Sequence, residues 1–152
     1  MQHSWGAWDE SWAWGIALIA ITIAIHSTGI VLIARAIARV WSEPLPQTGA
    51  VRHPKAGPVG VIVTVTLALA TLHAIECTVW AIAYVNLGAL TSPADAALYS
   101  VDSMTTRGAS GLSLAPYWRM MGALEAANGM LLFGISTAFL FAVMQRILKP
   151  AQ

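Results

Sequence analysis

The sequence predicts an all-α membrane protein, with three spanning helices and one shorter helix that enters the bilayer and returns on the same side. Three observations carry this. Of 152 residues, 57% are hydrophobic and only 10% charged, against about 25% charged in soluble domains, so lipid is the expected main solvent. Three apolar runs reach the roughly 20 residues needed to cross a hydrocarbon core. Between the second and third lies a helix-forming stretch of about half that length.

The first run, Trp12 to Ala34, contains no charged residue. Trp14 and Trp41 would lie roughly 40 Å apart on one straight helix, the thickness of a bilayer with its headgroup zones. Trp5, Trp8, Trp12 and Trp14 then form an aromatic belt at one interface and Trp41 marks the other. Arg35 and Arg39 stand one turn apart near the far end, where they can snorkel to headgroups. Two arginines are not a repeating ladder, so no voltage sensor is expected. Residues 1–41 therefore read as an N-terminal segment with one additional transmembrane helix. The start, MQHSWGAWDE, has two acids and no basic n-region, so cleavage as a signal peptide is not expected.

Residues 42–58 read as a linker, with Pro44, Pro46, Pro54 and Pro58 too dense to continue a helix. The second apolar run, 59–90, is interrupted only by His73 and Glu76. In the short stretch that follows, Ser92 suits an N-cap, Pro93 the first helical position and Asp95 the positive end of the dipole. That helix, 93–105, spans roughly 20 Å, too little to cross about 30 Å of hydrocarbon. It reads either as an amphipathic surface helix or as a re-entrant half-helix returning through Gly108, Ala109, Ser110 and Gly111. The third run, 117–147, carries Arg119 near its start and Glu125 inside it.

Charge sets the orientation. Arg35, Arg39, Arg52 and Lys55 flank the linker, and Arg146 and Lys149 follow the third run. The other side holds Arg107 and Arg119 with Asp9, Glu10, Asp95 and Asp102. The positive-inside rule puts the N-terminus outside and the linker and C-terminus in the cytoplasm. A net charge of +1 and the lack of a basic, aromatic-interleaved cluster speak against a nucleic-acid partner. Cys77 is the single cysteine, which excludes an intrachain disulfide.

Span, outward-opening short helix, threonine-glycine loop, span: residues 59–147 resemble the pore module of tetrameric potassium channels, most closely that of small bacterial ion-channel proteins with one helix before the pore. The stretch AALYSVDSMTTRG stands where that family has a pore helix ending in a Thr-Thr-Val-Gly-Tyr-Gly-Asp type of filter. YWRMMGALEAANGMLLFGISTAFLF is similar to its inner helix. The resemblance implies an outer helix (59–90), a pore helix (93–105), a filter-like loop (106–111) and an inner helix (117–147). It implies a homotetramer in a bacterial inner membrane, with Thr105, Thr106, Arg107, Gly108, Ala109 and Ser110 at the path and Gly129 or Gly134 as a gating hinge. Monovalent ions would be the permeant species, with no cofactor.

The departures from the family pattern are specific. Arg107 replaces valine, Ala109 the tyrosine, Ser110 the second glycine and Gly111 the aspartate. Carbonyls of that strand replace an ion's hydration shell in the family, so weak potassium selectivity is expected. Arg107 raises a second question. Two arginines about 6 Å apart repel by roughly 3 kcal/mol at an effective dielectric of 20, so four on one axis would repel cations. Either Arg107 pairs with Asp102 as filter support, or it faces the axis of an anion-conducting or non-conducting pore, or it reaches outer water.

His73, Glu76 and Cys77 fall on nearly one face of the second span. With His26 they form either a hydrogen-bonded seam between helices or, in a second alternative from another functional class, a haem or metal redox site using His26 and His73. No motif with metal-ligand spacing is present, so no metal is expected. Nothing arranges Ser, His and Asp as an activated nucleophile, and no enzymatic activity is expected.

Overall fold

The structure is a computed structural model that describes residues 5–42, 57–108 and 111–148. The order is α1 (Trp5–Ser42), α2 (Pro58–Asn86), α3 (Pro93–Met104), a 3-10 turn at Pro116–Trp118, and α4 (Arg119–Leu148). Most of the described residues are helical and none lies in a strand. Three segments are long and apolar enough to span a membrane: Glu10–Arg39, Pro58–Asn86 and Pro116–Leu148. The protein is therefore an all-helical, membrane-embedded chain.

Helix α1 runs well past the uncharged stretch at both ends. Pro58 belongs to α2 rather than to the linker, and Gly57 is its N-cap residue. Proline is tolerated there because its missing N–H is one of the helix's unsatisfied donors in any case. The rest of the expected linker, 43–56, lies outside the described residues. Helix α2 stops at Asn86, with Gly88 at a φ of 66° in the turn that follows.

Helix α3 starts as its residues dictate. Ser92 Oγ accepts the Asp95 N–H at 3.3 Å, and Pro93 occupies the first turn. Two contacts fix its depth. Met104, its last residue, lies with Sδ 3.4 Å from Cys77 Sγ, about 14 Å down α2 from the end at Asn86. Gly129, about 15 Å into α4, sits so close that a Cβ there would come 2.2 Å from the Met104 carbonyl oxygen. The excursion closes where it began, because the Ala115 N–H donates to the Ala89 carbonyl at 3.2 Å. Helix α3 therefore descends from one end of the bundle to about a third of the way along α2 and α4, and the chain returns to that end. The Tyr117 hydroxyl donates to Glu10, which places the start of α1 at the same end.

Two apolar clusters hold the bundle. One, around Trp80, Tyr84, Tyr99, Met104, Met121 and Leu132, packs α3 against α2 and α4. The other joins Val65, Leu69 and Val143 with Ile30, Ile33 and Phe139 toward the far end. Buried polar side chains lie between and beside them: His26, Glu76, Glu125 and Asn128 have no solvent exposure.

Candidate functional site

The end of α3 is a capped turn rather than the start of an extended strand. The Arg107 N–H donates to the Asp102 carbonyl at 2.9 Å and the Thr106 N–H to the Ser103 carbonyl at 2.9 Å. This nested pair is a Schellman motif with Thr106 at the left-handed position, φ 57°. Glycine normally sits there, and a β-branched residue is strained by the clash of Cβ with the neighbouring carbonyl. Gly108 and Gly111 follow at φ 82° and 81°, also on the positive-φ side.

An apolar contact usually joins the two residues that close a Schellman motif. Here an ion pair does so, with Arg107 Nη2 2.6 Å from Asp102 Oδ1. The partners differ in environment: the Asp102 side chain is 2% exposed and that of Arg107 61%. The hydrogen bond to Asp102 and its charge raise the Arg107 guanidinium above its ordinary value, so it stays charged. Thr105, Thr106, Arg107 and Gly108 are all exposed on the single chain. Ala109 and Ser110 lie outside the described residues.

A second group of polar contacts fixes α3 laterally. Glu125, fully buried on α4, accepts the Tyr84 hydroxyl at 2.6 Å and the Ser100 hydroxyl at 2.5 Å. One carboxylate thus ties α2, α3 and α4 together. Arg119, the other charged residue of this part of α4, is exposed at its start. Gly129 functions here as a close-packing position rather than an open one, whereas Gly134 has nothing within 4 Å of where its Cβ would be. Helix α4 is continuous through both.

The third group lies where α1, α2 and α4 meet. His26 Nδ1 is 2.8 Å from Glu76 Oε1, and His73 Nδ1 is 3.0 Å from Glu76 Oε2. On the opposite side of both rings, Ser136 Oγ lies 3.0 Å from His73 Nε2 and 3.2 Å from His26 Nε2. The four contacts close a ring. Each needs one hydrogen, and two neutral imidazoles with one hydroxyl supply three. Filling the fourth takes one more hydrogen, on Glu76 or on one imidazole, and either arrangement makes the ring electrically neutral. A neutral network with every contact made is the form in which such groups tolerate an apolar surrounding.

The sequence brought His26, His73 and Glu76 under suspicion together, and the structure places them in contact. Cys77 turns away to Met104 on α3. The two imidazole centroids are 5.1 Å apart, which leaves no space for a haem macrocycle between them as axial ligands. Ser136, on α4, completes the ring. Tyr84 and Ser100, the partners of Glu125, were not singled out at all. A hydroxyl inside an apolar run carries no signal of its own until its partner is known.

Compared with protein-family models, curated proteins and solved structures, the chain matches none.

Proposed function

We propose that this protein is a passive ion channel of potassium-channel-like architecture, a homotetramer whose axial path is lined first by the turn after α3 and then by α4. The observation that carries this reading is the depth of α3. A short helix that ends inside the bundle, about a third of the way along its neighbours, is tolerated in a bilayer only where protein or a water-filled path satisfies its backbone. Its C-terminus, the negative end of the dipole, favours cations. In this reading Thr105, Thr106, Gly108, Ala109 and Ser110 line the path first, and Gly134 is the hinge position on α4. One chain cannot surround a path with a single turn, so the reading requires the closed oligomer. The permeant species are monovalent cations with weak potassium selectivity. The charge asymmetry supports an outer location for the α3 end.

Flux into liposomes with potassium, sodium and chloride tested in turn decides it. Cation flux with little discrimination is expected. Crosslinking in membranes that stops at dimer, or the absence of any flux from a tetramer, overturns it.

One observation favours a second reading, a pore that carries anions or is closed by charge. Arg107 is exposed on the single chain even while it holds Asp102. In that reading Arg107→Val opens the path to cations, whereas in the first it lowers stability without a gain of cation flux.

A further inference from the structure

We propose that His26, His73 and Glu76 form a binding site for one divalent transition-metal ion of the zinc class. The inference is independent of whether the chain conducts ions. One ligand atom from each of the three residues lies within 4.8 Å of the other two. The donors are two imidazole nitrogens and a carboxylate, the borderline-to-hard set that zinc accepts at three-ligand sites. His73 and Glu76 are three residues apart on α2, the spacing that puts two ligands on one helical face. His26 comes from α1 and completes the set from across the interface.

The carboxylate is turned so that each of its oxygens faces one Nδ1. An ion between them can take both nitrogens and both oxygens, giving four ligands without a further group. The tautomers then resolve themselves. With Nδ1 on the ion, each Nε2 carries hydrogen, and both Nε2 atoms already face Ser136 Oγ. One hydroxyl oxygen has two lone pairs and accepts both. This is the outer partner that metal-bound histidine ordinarily requires. Ser136 is thus a positioning residue and not a ligand.

Loading displaces the one hydrogen that the neutral ring holds beyond the two imidazole N–H groups and the hydroxyl. The exchange adds one positive charge to a site surrounded by apolar side chains. Binding is therefore weaker than at a site whose ligands include two or more cysteine thiolates, which cancel the charge of the ion. Cys77 Sγ points to Met104 and is outside the set, so soft monovalent ions gain nothing here.

The test uses the full chain in detergent, purified without a polyhistidine tag, stripped with chelator and titrated with zinc chloride. One ion per chain is expected, and at a hundredfold excess over the dissociation constant a rise of the thermal midpoint of about 5–10 °C. Magnesium is expected to produce no shift. His26→Gln and Glu76→Gln should each abolish the zinc-dependent shift, and Ser136→Ala should reduce it. Because those variants remove ring contacts and can fail to fold, X-ray absorption on the zinc-loaded native chain supplies the second readout. A shell of two imidazoles with oxygen supports the site. Sulfur in the shell, no retained zinc, or an equal response to magnesium overturns it.

Discussion

Arg107 holds Asp102 through its backbone N–H on the Asp102 carbonyl at 2.9 Å and through Nη2 on Oδ1 at 2.6 Å. The backbone bond closes the end of α3, and the side-chain bond neutralises the carboxylate buried beneath it. The asymmetry of the pair makes an ordering testable. Asp102→Asn leaves an arginine that is 61% exposed and can turn to water. Arg107→Met instead leaves a buried carboxylate without its cation, which is the costlier loss. We expect Arg107→Met to lower the thermal midpoint more than Asp102→Asn, and the double variant to lie well above the sum of the two losses. Additive losses, or the reverse order, would show that the pair does not brace the turn.

Thr106 stands at a left-handed position that glycine fills at no steric cost. The strain is about 1–2 kcal/mol, partly offset by the chain entropy that glycine gives up. Thr106→Gly should therefore stabilise the protein by roughly 0.5–1 kcal/mol, read by denaturant melting in detergent. A loss of stability would mean that the threonine side chain makes contacts in the assembly that outweigh its strain.

Gly129 and Gly134 of α4 should respond in opposite directions. A Cβ at Gly129 meets the Met104 carbonyl oxygen at 2.2 Å, and backbone cannot turn aside as a side-chain end can. Gly129→Ala is expected to cost about 1–3 kcal/mol. Gly134 has open space, so Gly134→Ala should gain up to about 1 kcal/mol from helix propensity. If Gly134 is also the hinge of a channel, the same variant will slow flux while raising the melting point, and equal flux would remove the hinge assignment.

Tyr84 and Ser100 give Glu125 its two described side-chain hydrogen bonds. Tyr84→Phe removes one of two donors to a fully buried carboxyl group and should cost about 1.5–3 kcal/mol. Because Tyr84 lies on α2 and Ser100 on α3, the loss should also make the 93–108 segment more accessible to hydrogen exchange. Unchanged exchange there would show that apolar packing alone seats α3.

Length and composition were enough to identify the spans, because a bilayer selects helices by hydrophobic length whatever their partners. The N-cap at Ser92 and the start of α3 were equally legible, since they depend on residues within one turn of each other. The Asp102–Arg107 pair was also foreseeable, five residues apart at a helix end. What the sequence left open was how polar residues buried in separate spans choose one another. His26 lies fifty residues from Glu76, and Ser136 lies over a hundred from His26. Nothing local distinguishes a seam from a ligand set at that range. The packing of α1 across α2 and α4 decided that both imidazoles share one carboxylate and one hydroxyl. It decided likewise that Glu125 turns to Tyr84 and Ser100, and that Gly129 serves a close approach. Local capping and hydrophobic length are properties of consecutive residues, whereas the pairing of buried polar groups is a property of three helices in register.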